Sequence, residues 1–148
     1  MQMRRLAVAA VLTLASMTAA SIPAQAATPK LHFTKAYANS PGSDNRSNSS
    51  LNAEYLVLKN SGTTTWTLTR YTIRDKARHV YTFPTFKLKA GASVTLHTGR
   101  GTNTSSHLYW ESRAYIWNND GDTATLKNTV GTTKDTCSWR PLNSYVLC

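Results

Sequence analysis

The chain has 148 residues with only seven Gly and five Pro, which excludes a collagen-like or linker sequence, and its length favours a single domain. Lysine and arginine outnumber aspartate and glutamate by 17 to 7, which gives a net charge of +10. Because charged residues are nevertheless only 16% of the chain, the surface must consist largely of Thr, Ser and Asn, as is typical of a secreted domain.

Residues 1–26 have the layout of a secretory signal peptide. Arg4 and Arg5 precede an apolar stretch, and Ala24-Gln25-Ala26 forms a small-residue cleavage pattern. A membrane anchor is the less favoured alternative, because the apolar run is near the lower limit for spanning and is diluted by Ser and Thr. We expect cleavage after Ala26 and export of residues 27–148 as a secreted domain. Loss of the two arginines lowers the net charge from +10 to +8.

Apolar and polar residues alternate through most of the exported part, and turn residues recur about every ten positions. This pattern predicts an all-β sandwich or barrel with minimal helix. In the first half, the predicted strands are Leu31–Tyr37, Glu54–Asn60, Trp66–Leu68, Tyr71–Ile73 and Val80–Phe83. The polar run from Ser43 to Ser50 is interpreted as a surface loop, and Asp75 to Arg78 as a hairpin loop.

In the second half, the predicted strands are Ser93–His97, Leu108–Trp110, Tyr115–Trp117, Asp122–Lys127 and Thr132–Trp139. A turn at Leu88 to Gly91 and a flexible loop from Gly99 to Ser106 separate the first of these strands from its neighbours.

Both cysteines, Cys137 and Cys148, lie in the C-terminal tail. An even number of cysteines in an exported chain favours a disulfide that closes residues 137–148 into a short loop. Two free thiols or a pair of metal ligands are the less favoured alternatives, since no His lies nearby.

Several motifs occur in an order that resembles the lamin tail domain family. They are LNAEYLVLKN at residues 51–60, Tyr81-Thr-Phe83-Pro84, Leu88-Lys89-Ala90-Gly91, Leu108-Tyr-Trp110 and Trp117-Asn-Asn-Asp120-Gly-Asp122. The Asn-Ser-Pro-Gly-Ser-Asp and Asn-Asn-Asp-Gly-Asp-Thr stretches are more similar to secreted bacterial members. The resemblance implies an immunoglobulin-like β-sandwich over residues 27–148 and a non-catalytic module, so we expect no enzyme and no cofactor.

Basic residues are concentrated in one third of the chain, with only Asp75 opposing them. The candidate anion-binding residues are Arg70, Arg74, Arg78, Lys87 and Lys89. Strand alternation predicts that Arg70 and Arg74 share a face opposite Ile73. We therefore expect a monomer that adheres to an anionic cell-wall polymer or a nucleic acid. The alternative is that these charges only keep the domain soluble.

Asp120 and Asp122 are weak candidates for a calcium site, because alternating carboxylates and amides surround a Gly. An Asx-rich turn, in which these side chains accept hydrogen bonds from backbone amides, is the favoured interpretation. A rival function is a metal-assisted extracellular hydrolase or nuclease in which His97 or His107 acts with one of these aspartates. A third is a structural module that pairs its edge strands with a protein partner.

Four tryptophans are numerous for a chain of this size. Trp117, with alternating neighbours, is expected in the core. Trp66 and Trp139 are the pair expected to be exposed, because one lies beside a Thr-rich turn and the other in the cysteine-closed tail.

Overall fold

A computed structural model describes residues 28–141 and 143–148; the predicted signal peptide lies outside the described residues. The described part contains eleven strands and one short helix. In chain order these are β1 (Leu31–Tyr37), α1 (Asn48–Asn52), β2 (Tyr55–Asn60), β3 (Trp66–Thr67), β4 (Thr72–Arg74), β5 (Val80–Thr82), β6 (Lys87–Leu88), β7 (Ser93–His97), β8 (His107–Tyr109), β9 (Asp122–Lys127), β10 (Thr133–Trp139) and β11 (Tyr145–Leu147). No helix in this part is long and apolar enough to cross a membrane.

The strands form two main sheets that pack face to face, which confirms the all-β, immunoglobulin-like sandwich. The first sheet has the order β11-β1-β2-β7-β8 and the second has the order β10-β9-β4-β5, while β3 and β6 form a separate ribbon. All pairs are antiparallel except β7 with β8. Every second residue of the central strands is buried between the sheets, among them Leu56, Leu58, Ile73, Ala124 and Leu126.

The predictions agree best with the structure where alternation is strict. Three strands, β1, β7 and β9, have the predicted bounds. The predicted surface loop from Ser43 to Ser50 instead contains the start of α1. Ser47 caps this helix by accepting a hydrogen bond from the Ser50 amide, and Leu51 anchors it in the core.

Two further segments differ from prediction. Residues 115–117 do not form a strand, because the amides of Ile116 and Trp117 donate to the side chain of Glu54 instead of to a neighbouring strand. Strand β11 was not predicted, since Tyr145 and Leu147 are both exposed and its sequence is too short to show alternation.

A disulfide between Cys137 and Cys148 confirms the predicted pairing and joins the two sheets. Cys137 is buried in β10, and Cys148 directly follows β11, with a Cα–Cα distance of 5.4 Å. The Cys148 amide also donates to the Thr34 carbonyl of β1. The disulfide therefore links an edge strand of each sheet and fixes the C-terminal strand in place.

Glu54 is fully buried and immediately precedes β2. Its Oε1 atom accepts hydrogen bonds from the Thr98 hydroxyl at 2.6 Å and from the amides of Ile116 and Trp117 at 2.8 and 3.3 Å. Oε2 has no hydrogen-bond partner among the described residues. Burial raises the pKa of Glu54 to about 7, although these three hydrogen bonds favour the ionised form.

Removing the disulfide should lower the free energy of unfolding. Replacing both cysteines with Ala is expected to cost about 3 kcal/mol, because the unfolded chain regains the freedom that the closed loop removes. Urea unfolding under oxidising conditions measures the effect, and wild-type protein in reductant should show a similar loss. An unchanged urea midpoint in both samples would contradict a stabilising role.

Glu54 should make stability depend on pH. Its pKa is higher in the folded chain than the ordinary 4.5, so its contribution is fully present below pH 4.5 and is lost as pH rises through 7. The expected loss is on the order of 3 kcal/mol. In Glu54→Gln this dependence should disappear, whereas Glu111→Gln, at an exposed position, should keep it. Urea titrations from pH 4.5 to pH 8 test this, and equal curves for wild type and Glu54→Gln would be the contrary result.

Candidate functional site

The five predicted anion-binding residues lie in two groups. Arg74 and Arg78 lie at the loop end of the β4–β5 hairpin, where Arg74 pairs in register with Val80. Lys87 lies in the ribbon and pairs with Thr67, Lys89 follows β6, and Arg70 lies in the turn between β3 and β4. All five residues are exposed. The structure therefore distributes the predicted cations over two neighbouring parts of the surface.

Alternation predicted that Arg70 and Arg74 share one face of a strand. In the structure, Arg70 lies outside the strand that contains Arg74. It precedes β4 in a turn closed by a hydrogen bond from the Tyr71 amide to the Leu68 carbonyl, and its φ is 64°. Its amide donates to the Phe83 carbonyl, which continues the hairpin beyond β5. This left-handed residue interrupts the strand and breaks the two-residue period on which the prediction depended.

The hairpin loop that carries Arg78 is held by two buried carboxylates. Asp75 accepts hydrogen bonds from the His79 amide at 2.7 Å and from the His79 ring at 2.5 Å. Asp122 accepts a hydrogen bond from the Lys76 amide at 3.0 Å. Arg78 itself has a φ of 75°. The one carboxylate that the sequence placed among the cations thus points into the loop instead of neutralising them.

None of the five cations is paired with a carboxylate in the described part of the chain. In that part, the contact between a basic and an acidic side chain joins the His79 ring to Asp75. The Asp75 side chain has no exposed surface and is bonded within its loop, so it is not available to pair with the neighbouring cations or to contact a ligand. The outer surface of the hairpin and ribbon therefore carries an uncompensated positive charge.

The Trp117–Asp122 segment borders a cavity of about 690 Å³, which Asp44 and Lys76 also line. Asn118 Oδ1 accepts a hydrogen bond from the Asp120 amide at 2.8 Å. Asp122 accepts from the amides of Asn118 and Thr123 in addition to that of Lys76. These bonds confirm the Asx-rich turn, and they occupy both oxygens of Asp122.

The metal and catalytic clusters considered from the sequence are not assembled. Within residues 28–141 and 143–148, no three His, Cys, Asp or Glu side chains lie together as a metal site would require. His97 and His107 do meet, with Nε2 and Nδ1 3.0 Å apart, but neither contacts Asp120 or Asp122. The Nδ1 atom of His97 donates to the Asn52 carbonyl, and burial lowers the pKa of His97.

The predicted exposure of Trp139 is wrong. It is buried, its Nε1 donates to the Asn118 carbonyl, and its ring packs edge-on against Trp117 at 5.8 Å. Trp117 is buried as predicted, and Trp66 is half-buried against the core. Trp139 lies within the loop that the disulfide closes, so this part of the loop packs into the core and does not present an aromatic ring to solvent.

Two surface features were missed because each combines distant segments. A row of rings crosses the outer face of the five-stranded sheet, with neighbouring centroids 5.1–5.9 Å apart. Its members, in strand order, are Tyr145, Tyr37, Tyr55, His97 and Tyr109. Tyrosines at alternating positions of separate strands were the available signal, but only the register of five strands aligns them.

The second missed feature is a hollow of about 410 Å³ lined by Arg46, Arg100 and Arg113. These arginines are 54 and 13 positions apart, so no local pattern in the sequence groups them. Their convergence depends on how three loops meet at one end of the sandwich.

A family model described as Lamin Tail Domain matches residues 24–141, which is most of the chain. No curated protein matches the chain.

Asp122 should be important for stability and not for metal binding. Asp122→Ala is expected to lower the free energy of unfolding by about 3 kcal/mol, because three backbone amides lose their charged acceptor. Asp120→Ala, which removes an exposed side chain, should change it by less than about 0.5 kcal/mol.

The same unfolding experiments test for metal. Chelator should leave the urea midpoint of the wild type unchanged, since the oxygens of Asp122 are already bonded to amides. A midpoint that falls with chelator and recovers with Ca²⁺ would contradict this assignment.

Proposed function

Because the chain belongs to the lamin tail domain family of immunoglobulin-like interaction domains, we propose that it is a secreted, non-enzymatic module that attaches to an anionic extracellular polymer. The attachment is electrostatic, and its contacts are Arg70, Arg74, Arg78, Lys87 and Lys89. The disulfide supports export, since such bonds persist in oxidising compartments.

One observation carries the proposal: all five cations are exposed and none has a carboxylate partner in the described residues. Cations that serve only solubility are commonly interspersed with acidic residues. Here the single acidic residue of the region, Asp75, is bonded within its own loop. The resulting field attracts a polyanion and releases counterions from it on contact.

The backbone at two of the arginines gives further support. Arg70 and Arg78 both have positive φ, a conformation that costs a non-glycine residue on the order of 1 kcal/mol. Glycine would relieve that strain at either position. A contact between the guanidinium group and a ligand accounts for an arginine at such a position.

The two-group arrangement suits a polymer better than a small anion. Arg70 precedes β4 and Arg74 is its last residue, and this strand of three residues spans about 10 Å. A chain with repeated negative charges can contact both groups at once. Export favours a cell-wall polymer, and a nucleic acid would present the same phosphate chemistry.

The test is binding of residues 27–148 to isolated anionic cell-wall material across a salt series. Log affinity should fall linearly with log salt for the wild type. Replacing all five proposed contacts with Ser should reduce the slope by about 1 per lost contact and weaken binding roughly 100-fold or more near 0.1 M salt.

A control of equal charge distinguishes location from net charge. It replaces five other cations with Ser: Lys30, Lys35, Lys59, Lys134 and Arg140. This variant should retain most of the binding. Equal losses of binding in the two variants would show that net charge alone determines binding. Undiminished binding by the variant that lacks the five proposed contacts would reject those contacts. If the wild type binds only DNA, a nucleic-acid ligand replaces the cell-wall polymer.

A further inference from the structure

The three-arginine hollow, which we call the arginine pocket, lies apart from the five proposed polymer contacts. Arg46, Arg100 and Arg113 line it together with Asn48, Leu51 and Ser112. The arginines come from the loop before α1, the loop after β7 and the segment after β8. None of the proposed polymer contacts lines it, so the pocket is a separate candidate site.

Two asparagines of α1 clamp the loop that carries Arg100. Asn48 Oδ1 accepts a hydrogen bond from the Arg100 amide at 2.7 Å. The side-chain amides of Asn48 and Asn52 both donate to the Arg100 carbonyl, at 2.9 and 3.0 Å. A Cβ atom at Gly99 would lie 2.5 Å from Asn52 Oδ1 and 2.7 Å from Asn48 Oδ1, so a side chain there would displace both asparagines. The backbone of Arg100 is thus fixed against α1.

The other two arginines are also held by their neighbours. Arg46 has a φ of 57°, and the adjoining Ser47 amide donates to Asn45 Oδ1 at 2.9 Å. Beside Arg113, the Ser112 amide donates to the Thr98 carbonyl at 3.0 Å. Three separate loops therefore present arginines to one hollow from defined backbone positions.

The charge of this hollow is not balanced by the protein. No carboxylate residue lines it, and none of the three arginines forms an ion pair among the residues that the structure describes. The nearby Glu111 carboxylate accepts a hydrogen bond from the Gly101 amide at 3.4 Å instead. Guanidinium groups that share a hollow repel one another, and an anion bound between them offsets that repulsion.

We propose that the arginine pocket binds a tetrahedral oxyanion of the phosphate class, carried on a phosphomonoester or phosphodiester. Each guanidinium offers a planar fork of donors that matches two oxygens of such a group. Three forks exceed what the two oxygens of a carboxylate can accept, whereas a phosphate has three or four oxygens. The volume of about 410 Å³ accommodates the phosphate together with part of the molecule that bears it.

The experiment is calorimetric titration of the folded protein at low salt with inorganic phosphate, glycerol 3-phosphate, dimethyl phosphate and acetate. We expect saturable binding at one site for phosphate and for at least one of the two esters, with acetate much weaker. The esters distinguish a monoester from a diester source. No saturable phosphate binding, or acetate binding as tight as phosphate binding, would overturn the proposal.

Arg46→Gly and Arg113→Gln should each weaken phosphate binding by about tenfold or more, as expected for loss of a charged hydrogen-bond donor. Arg46→Gly removes the guanidinium while relieving the positive φ, so the variant should remain folded. Circular dichroism and the urea midpoint check this. Phosphate binding by Arg46→Gly and Arg113→Gln that equals the wild type would also overturn the proposal.

Arg140→Gln is the matched control, because it removes one exposed arginine outside the pocket, and it should bind phosphate as the wild type does. The variant with all five polymer contacts changed to Ser should do so too. Loss of phosphate binding in either protein would assign it to general positive charge instead of this pocket. Failure of the polymer proposal and failure of the pocket proposal are therefore distinguishable.

Discussion

The buried carboxyl group of Glu54 connects the loops around both cationic regions through its hydrogen bonds. Its Oε1 atom holds the backbone of Ile116 and Trp117, which leads into the turn where Asp122 receives the amide of the hairpin loop. On its other side, Glu54 bonds Thr98 through both side chain and backbone, and the Thr98 carbonyl receives the Ser112 amide. One buried carboxyl group, immediately before β2, thus fixes the position of loops at two separate surfaces. Desolvation of its carboxylate costs free energy and therefore raises the pKa of Glu54.

The sandwich could be predicted because its central strands bury one face and expose the other. In β7 and β9, each inward position holds either an apolar residue or a polar residue whose side chain is hydrogen-bonded. The bounds of these strands therefore follow from alternation alone. Prediction failed where backbone groups bond to side chains. The Ile116 amide bonds to a carboxylate from a residue 62 positions away, and α1 begins at a Ser cap within a run that is polar throughout. Such partners are specified by the folded chain and leave no period in the sequence.

Charge composition indicated an anion-binding protein, but it could not locate the cations relative to one another. Arg70 is itself left-handed and ends the strand period before β4, a conformation that nothing in the identity of arginine predicts. Of the four non-glycine residues with positive φ in the described part, three are arginines, at positions 46, 70 and 78. Two belong to the proposed polymer contacts and one to the arginine pocket. The loops that present these side chains therefore have backbone conformations that local propensity does not favour. For this reason the positions of these arginines could not be predicted from the sequence.

The disulfide also has a mechanical consequence. An edge strand held only by hydrogen bonds to one neighbour can be peeled away one pair at a time, and β11 pairs only with β1. A pulling force applied at Cys148 is instead carried through the covalent bond to Cys137 and so to β10, which belongs to the opposite sheet. While the disulfide is intact, a force that detaches the tail must therefore act on both sheets at once. This resistance to tension would be lost wherever thiols are kept reduced.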